Sequence, residues 1–243
     1  MEIRELHRLE EFHEAFRLFD GIWRPDPRNP PVPVELMIAF AHGGGYVAGA
    51  YEGGRLVGAS VGFLAAGGAL HSHVTGALPG LGAGSALKLH QREWCRARGL
   101  ERITWTFDPL VRRNARFNLV KLGARPEEYL ECFYGVMADE VNEGDESDRL
   151  LAVWRLDRPP EGPAEVSYPS VLADAGGRPA IGPAEGRAVL VATPADVEAL
   201  RREDPGAARE WRLATRATLG GLMASGARVT GFTRNGEYVV ERD

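Results

Sequence analysis

The segment Ala77–His90, with the sequence ALPGLGAGSALKLH, places Gly80, Gly82 and Gly84 at alternate positions and continues directly into a helical pattern. A strand that ends in a glycine-rich turn and continues as a helix presents unpaired backbone N–H groups at the positive end of the helix dipole. Glycine admits positive φ and leaves room for an anion to reach these groups. The segment therefore predicts either an anion-binding loop or a tight turn whose small residues let the helix pack closely on the sheet.

Two common nucleotide-binding patterns fit this loop poorly. No Lys-Ser or Lys-Thr pair follows Gly84, so the loop is not a Walker A motif. A dinucleotide fingerprint would need its third glycine at Ser85 and alternating parallel strands and helices, with Asp108 as the ribose-binding acid. The strand patterns before the loop instead indicate an antiparallel meander. A dinucleotide-dependent oxidoreductase is therefore the least favoured alternative.

The patterns on both sides of the loop predict one mixed domain over residues 1–156. A short strand precedes a helical stripe of aromatic residues, which ends at a proline run before a second short helix. Three strand-like runs, the first two joined by an EGG turn, lead into the loop and its helix. A strand, a short helix and two more strands follow. The predicted fold is thus a mostly antiparallel sheet flanked by helices.

The composition changes after residue 156. Residues 157–186 are rich in Pro and Gly and predict a connector with little regular structure of its own. Residues 187–243 predict a C-terminal extension with a strand, a helix with Thr193 as N-cap, a second helix and a hairpin. The Asn235–Gly236 pair fits a type I′ turn in that hairpin.

The composition also limits partners and location. The formal net charge of -5 disfavours nucleic acid and anionic membranes as partners. The longest apolar run is too short to span a bilayer and the N-terminal residues lack a signal-peptide pattern, so we expect a cytoplasmic protein. Cys95 and Cys132 are too few for a disulfide framework or a thiolate metal site, and we expect no metal.

The order of predicted elements over about residues 1–156 resembles the GNAT (GCN5-related N-acetyltransferase) superfamily. Three stretches carry the resemblance: ALPGLGAGSALK matches the acyl-CoA pyrophosphate loop, WTFDPLVRRNARFN the fifth strand with its asparagine-bearing helix, and KLGA the motif K-L-G-F. The chain is most similar to a bacterial branch that carries a C-terminal extension. The resemblance implies an α/β (α+β) fold with a GNAT-like mixed sheet and a smaller C-terminal α+β extension, which would be a separate domain, a lid or a homodimer contact.

The resemblance implies a CoA-dependent N-acyltransferase that uses acetyl-CoA, or alternatively succinyl-CoA, and needs no metal. The acyl acceptor would be the amine of a small molecule such as an amino acid, attacking the thioester directly in a ternary complex. The implied cofactor-binding residues are Thr75, Gly76 and Ala77 for the pantetheine arm, Gly80, Leu81, Gly82, Ala83, Gly84 and Ser85 for the pyrophosphate, and Asn114 and Asn118 for further contacts.

Two positions depart from the family pattern. Pro79 stands where the family has an arginine, when counted back from Gly82; if Pro79 instead matches the family proline, about three residues of the loop are missing, and the arginine is absent in both cases. Leu119 stands where the family has its usual acid, a tyrosine. Anion binding would then depend on backbone amides and the helix dipole. The alternative function is a non-catalytic GNAT-like module that has lost CoA binding and serves in ligand binding or assembly.

Three residues are candidates for catalysis. His73 lies on the predicted fourth strand, on the same side as His71, and is a candidate base; its alternative role is that of a hydrogen-bonded histidine of the sheet. Asp108 ends the fifth strand, where it would receive an ammonium group or a proton, or would cap the following turn. Tyr134 is a candidate acid for the leaving thiolate, or a half-buried strand residue.

A row of arginines lies on one face of a predicted C-terminal helix. Arg209, Arg212 and Arg216 recur at spacings of three and four residues. They would bind a substrate carboxylate or a 3′-phosphate, or else form a solvated helix face.

Overall fold

The structure is a computed structural model that describes residues 1–136, 144–159, 167–183 and 185–242. The chain forms two compact units: the first unit comprises Met1–Trp105 and Arg155–Asp157, and the second unit comprises Thr106–Trp154 and Arg158–Asp243. The division of the sequence into residues 1–156, 157–186 and 187–243 stays a prediction.

The first unit contains a sheet whose strands follow one another in the order β1-β2-β3-β4-β5. Neighbouring strands are antiparallel except for the parallel pair β4 and β5, so the predicted meander is confirmed. The elements are β1 (Glu2–Glu5), α1 (Leu9–Trp23), α2 (Val34–His42), β2 (Tyr46–Glu52), β3 (Arg55–Ala65), β4 (Ala69–Ala77), α3 (Ala83–Arg96) and β5 (Arg102–Phe107), within which the chain enters the second unit.

Helices cover both faces of this sheet. On one face α1 buries Phe12 and Phe19 in a cluster that includes Met37 of α2, as the helical stripe of aromatic residues predicts. On the other face α3 packs so closely that a Cβ on Gly58 would lie 3.1 Å from the Leu87 side chain. A buried apolar layer on each face fixes the register of the strands, because a slip of one residue would exchange the two faces.

The second unit contains an antiparallel pair, β6 and β7, and a sheet of five strands in the order β11-β12-β10-β8-β9. Only β8 and β10 pair in parallel in that sheet, among the described residues. The elements are α4 (Arg112–Ala115), which continues as the π-helical turn Arg116–Lys121, β6 (Arg125–Leu130), β7 (Arg149–Arg155), β8 (Ser170–Ala175), β9 (Arg178–Ile181), β10 (Ala188–Ala192), α5 (Val197–Glu203), α6 (Pro205–Thr215), the π-helical turn Arg216–Gly220, α7 (Gly221–Ala224), β11 (Arg228–Phe232) and β12 (Glu237–Glu241).

The α/β class with mostly antiparallel sheets is therefore confirmed, whereas three local expectations for the later part of the chain are wrong. The range 157–186 contains the hairpin of β8 and β9, in which Gly176 and Gly177 have φ of 69° and 89°. Asp196, and not Thr193, caps α5, because its side chain accepts hydrogen bonds from two backbone N–H groups. Thr193 is fully buried and donates its hydroxyl hydrogen to the Gly236 carbonyl at 2.8 Å.

The turn between β11 and β12 is also not of type I′. That turn requires positive φ at both central residues, and of the Asn235–Gly236 pair only Gly236 has it, at 89°. The Gly236 N–H donates to the Thr233 carbonyl at 3.3 Å. This is the i to i+3 hydrogen bond of a four-residue β-turn whose last residue, Gly236, has a left-handed conformation.

No helix among the described residues is long and apolar enough to cross a membrane.

Candidate functional site

The fourth strand has one fully paired edge and one edge that is paired only at its start. β4 pairs with β3 from Ala69 to Ala77, but with β5 only through Ala69, Leu70 and His71. The backbone from Ser72 to Ala77 therefore has no strand partner at that edge among the described residues. Such an edge can pair with an extended ligand through alternating N–H and C=O groups.

A β-bulge lies where this edge becomes unpaired. Val61 of β3 lies opposite Val74, and Gly62 lies opposite Ser72, so His73 is the extra residue. Val74 packs against the α1 and α2 core. Bulges redirect side chains and occur often beside active sites, and this one separates the paired start of β4 from its unpaired end.

The glycine loop joins β4 to the N-terminus of α3 without covering it. Gly80 and Gly82 have φ of 84° and 71°, and Gly82 is an N-cap that offers no side-chain hydrogen bond. The first backbone bond of the helix runs from the Ala86 N–H to the Gly82 carbonyl. The N–H groups of the preceding first turn thus point out of the helix, and no acidic residue of that turn neutralises them.

The local geometry distinguishes the two interpretations of the glycines. A Cβ on Gly80 or Gly82 would meet no atom within 4 Å, and one on Gly84 would lie at an ordinary 3.9 Å from the Ala77 Cβ. Close packing of the helix on the sheet therefore does not require these glycines. Positive φ requires two of them, and the space above the loop is open, as an anion-binding loop needs.

Gly76 of β4 has a different role. A Cβ at this position would lie 2.8 Å from the Trp23 ring of α1 and 3.0 Å from Ile22. Its lack of a side chain lets α1 lie directly on the strand. Its neighbours Thr75 and Ala77 are half-buried.

A buried polar network, which we call the Lys88 network, lies between β4 and α3. Lys88 Nζ donates to Ser72 Oγ at 2.8 Å and to Gln91 Oε1 at 3.2 Å. Gln91 Nε2 donates to Ser60 Oγ at 3.4 Å, and Ser60 Oγ lies 2.7 Å from Thr75 Oγ1. The network thus connects the helix that follows the loop to Ser72 and Thr75 in the unpaired part of β4.

Lys88 is 6% exposed, and no acidic side chain is paired with it in the described structure. Its Nζ lies 4.1 Å from the centre of the Trp105 ring. Burial lowers the pKa of Lys88 to about 7. Lys88 is not among the residues predicted from the sequence, although its helical spacing with Gln91 and Cys95 on the buried face of α3 was an available signal.

The two histidines of β4 lie on the same side of the sheet, as predicted, and both contact the Phe63 ring. His71 Nδ1 lies 3.0 Å from Thr104 Oγ1. Burial, together with the charges of His73 and Lys88, lowers the pKa of His71 to about 4, so His71 is neutral at neutral pH.

His73 differs from His71 in its partner. Its Nε2 lies 3.2 Å from the Pro31 carbonyl oxygen. Because a carbonyl oxygen only accepts hydrogen bonds, Nε2 carries the hydrogen and Nδ1 keeps the lone pair. The half-buried ring is thus held in the tautomer in which Nδ1 can take a proton.

Asp108, the acid predicted at the end of β5, is buried in the second unit among arginines. Its carboxylate accepts from Arg212 Nη1 and Nη2 at 2.9 and 2.8 Å and from Arg201 Nη2 at 2.6 Å. It also accepts from the Leu110 N–H at 2.9 Å, which is the predicted turn-capping contact. Burial would raise the pKa of Asp108, but Arg212 and Arg201 hold it well below its usual range. Asp108 is therefore a fixed carboxylate.

The arginine row of the C-terminal helix is not a solvated face. Arg212 is 1% exposed and also bonds to Asp145, at 2.8 Å. Arg216 bonds to Asp148 at 2.6 Å and to Glu146. Only Arg209 of the three is exposed, so the other two bind carboxylates of the chain itself.

The remaining predicted residues also lie in the second unit. Tyr134 is 44% exposed, and its hydroxyl lies 3.1 Å from Thr106 Oγ1. Asn114 is exposed on α4, whereas Asn118 is 4% exposed in the π-helical turn after it. The predicted site residues from His73 to Ser85 all belong to the first unit.

No protein-family model and no curated protein matches the chain, but solved structures do. Ribosomal-protein-S18-alanine N-acetyltransferase from Escherichia coli is 12% identical, with a TM-score of 0.52 over 69% of this chain and 99% of that one. A GNAT-family protein from Desulfovibrio desulfuricans is 17% identical, with a TM-score of 0.51 over 64% and 98%. A GNAT-family acetyltransferase from Streptococcus pneumoniae is 16% identical, with a TM-score of 0.51 over 63% and 96%. The chain has the GNAT fold.

The GNAT fold gives the two departures from the family pattern a structural meaning. Leu119, at the position of the family tyrosine, is 1% exposed, so this position is part of a core. Pro79 is exposed at the start of the loop. The first turn of α3 presents its backbone amides beside Ala83, Gly84 and Ser85, none of which is cationic.

Proposed function

We propose that the protein is a CoA-dependent N-acyltransferase that transfers an acetyl group from acetyl-CoA to the amine of a small molecule such as an amino acid. One observation carries the proposal: the unpaired edge of β4 leads directly into an open glycine loop and an uncapped helix N-terminus. An extended arm that ends in a pyrophosphate matches this arrangement. Succinyl-CoA is the alternative donor, because its arm and pyrophosphate are the same.

The binding roles follow from that edge and loop. Backbone groups of Thr75, Gly76 and Ala77 would pair with the amide groups of the pantetheine arm. The amides from Gly80 to Ser85 would face the pyrophosphate, and the helix dipole adds about 0.3 to 1 kcal/mol at an exposed site. Asn114 and Asn118 are proposed as further contacts.

The chemistry needs one base, one acid and an oxyanion site. The amine nitrogen forms a bond to the acyl carbon, the carbon–sulfur bond breaks, and the amine gives up a proton. We assign the proton to His73 Nδ1, the charge on the acyl oxygen to backbone N–H groups of β4, and protonation of the thiolate to the exposed hydroxyl of Tyr134. Asp108, held as a carboxylate, is assigned to orient Arg201 and Arg212 and not to transfer a proton.

Binding is tested by titrating acetyl-CoA into the full chain and measuring heat. Gly82→Ala and Gly99→Ala form a matched pair, because both glycines have φ near 70° (71° and 69°) with no atom near the new Cβ. Backbone strain is then similar at the two ends of α3, and only Gly82→Ala should weaken binding. Equal affinities for the two variants would remove the loop from the binding site.

The catalytic assignment is tested by the pH profile of the rate. His73→Ala should lower kcat about 10² to 10⁴-fold and remove the fall in rate on the acidic side of the profile, where a general base is inactive. His13→Ala, on an exposed position of α1, is the control and should leave both unchanged. A normal profile for His73→Ala would exclude His73 as the base.

The second candidate is a non-catalytic GNAT-like module. It is favoured by the absence of the family arginine and tyrosine from positions 79 and 119. A ligand well above its dissociation constant must stabilise the native state. Neither heat nor a rise in melting temperature with millimolar acetyl-CoA would therefore favour this module over the enzyme.

A further inference from the structure

A cleft with a volume of about 380 Å³ lies wholly within the second unit. Its walls come from Arg201 of α5, from most of α6 between Pro205 and Leu213, and from Val136 and the residues 144–146. Small-molecule sites in proteins usually measure about 300 to 1,000 Å³ and combine apolar walls with a few polar groups. The cleft therefore has the size of a site for a small molecule.

The floor of the cleft is charged but internally neutralised. Arg212 and Arg201 both line the cleft, and both bond to Asp108 and Asp145. Their side chains are 1% and 2% exposed. Both guanidinium groups are thus held by carboxylates of the chain itself and are buried, which leaves Arg209 as the exposed cation that lines the cleft.

Arg209 supplies the exposed positive charge. It lies at an exposed position on α6, lines the cleft, and has no ion pair in the described part of the chain. Of the acidic residues that the structure describes near it, Glu210 bonds to Arg178 at 3.0 Å and Glu146 to Arg216 at 2.5 Å. A planar guanidinium with free donors is suited to bind a carboxylate through two parallel hydrogen bonds.

An apolar wall stands beside this cation. Leu213, four residues after Arg209 and thus on the same helix face, is 46% exposed, and Val136 across the cleft is 63% exposed. Pro205, at an exposed position, adds apolar surface. Exposed apolar side chains next to a cation that has no ion pair among the described residues match a ligand with an apolar body and one negative group.

We propose that this cleft binds a small organic acid, with its carboxylate on the Arg209 guanidinium and its apolar body against Leu213 and Val136. The site is built from residues of the second unit alone, and it does not depend on acyl transfer. A binding study without any CoA therefore tests it separately.

The test uses three probes with the full chain: hexanoate, its neutral isostere hexanamide, and acetate. Backbone amide NMR signals of residues 206–213 report binding in the cleft. Hexanoate should shift these signals and bind more tightly than hexanamide, which lacks the charge, and than acetate, which lacks the apolar body. No shift in residues 206–213 with millimolar hexanoate, or equal binding of hexanoate and hexanamide, would overturn the proposal.

Substitutions test whether Arg209 supplies the positive charge that binds the carboxylate. Arg209→Gln should weaken hexanoate binding about tenfold or more, as expected for losing a hydrogen bond to a charged group, and leave hexanamide binding unchanged. Leu213→Asn should weaken the binding of both hexanoate and hexanamide. Arg202→Gln, at an exposed position of α5 that does not line the cleft, is the control. Unchanged hexanoate affinity in Arg209→Gln would show that the shifts arise elsewhere and would sink the proposed site.

Discussion

The two units bury charge in different ways. In the first unit Lys88 is surrounded by neutral partners, the Ser72 hydroxyl, the Gln91 amide and the Trp105 ring. In the second unit Asp108 is buried to a similar degree, but two guanidinium groups contact it directly. The amine therefore loses its charge near neutral pH, whereas the carboxylate keeps its charge far below it.

This difference shows that burial alone does not decide the protonation state. Burial disfavours the charged form of either group, and only a partner of opposite charge reverses that effect. The pKa of Lys88 falls to about 7, while the pKa of Asp108 lies well below its usual range. The two units should consequently respond to pH in opposite ranges.

The largest expected effect is the loss of the buried carboxylate. Asp108→Asn leaves Arg201 and Arg212 with one counter-charge fewer in a buried site, and removing one partner of such a set costs about 3 to 5 kcal/mol. The free energy of unfolding in urea measures this cost. Asp26→Asn, which breaks an exposed pair with Arg28, is the control and should leave the urea midpoint unchanged. Equal midpoints for the two variants would contradict a stabilising role for the Asp108 set.

The same variant gives the sign of the acid response. The pKa of Asp108 is lower in the folded than in the unfolded protein, whose value is near 3.8, so its stabilisation is present above about pH 4 and is lost as the pH falls further. The difference in free energy of unfolding between the natural protein and Asp108→Asn should become smaller below pH 4. An advantage that stays constant down to pH 2 would show that charge is not its source.

An intermediate effect is expected for Lys88. Because its pKa is about 7 in the folded protein and 10.5 in the unfolded one, the unfolded state binds more protons between these values. The free energy of unfolding should rise with pH above 7, by up to about 1.4 kcal/mol per pH unit. Above pH 9 the Cys95 thiol, whose pKa burial raises from 9.0 to about 12, acts in the opposite direction.

Two measurements between pH 7 and 9 check this prediction. Lys88→Met should abolish the rise, and Lys121→Met, at an exposed position, should preserve it. Because Lys88 and Lys121 are the lysines of the chain, NMR of protein with ¹³C-labelled lysine observes each one separately. Titration of both signals near pH 10 would contradict a neutral Lys88.

The smallest expected effect concerns the neutral part of the Lys88 network. Ser60→Ala removes the hydroxyl that contacts Thr75 and Gln91 and should cost about 1 kcal/mol, as for a typical neutral hydrogen bond. The urea midpoint measures it, with Ser225→Ala, at an exposed position near the end of α7, as the control. A loss as large as that of Asp108→Asn would show that the neutral network and the ionic set contribute equally.

Features that depend on neighbouring residues were predicted well from the sequence. The meander, the glycine loop and the helix after it follow from alternation, positive φ and helical spacing, which are local signals. The common side of His71 and His73 also follows from strand periodicity. The errors in the helix cap and in the turn type also arise from neighbouring residues. Asp196 and Thr193 are both able to cap the start of α5, and a glycine at position 236 fits more than one turn type.

Contacts between distant parts of the chain were not predictable. Arg212 is separated from Asp108 by 104 residues and Lys88 from Ser72 by 16. The spacing of Arg209, Arg212 and Arg216 predicts a shared helix face but not what covers it. The structure covers two of the three and leaves Arg209 exposed beside the cleft.

The sequence by itself determined where the backbone turns, which strands alternate and where a helix begins with free N–H groups, because these depend on φ and on spacing within a few residues. The tertiary structure decided which charged groups are paired, since burial and partner are set by segments far apart in the chain. The glycine loop was therefore visible in the residues Ala77–His90, whereas the lowered pKa of Lys88, within the same stretch, was not.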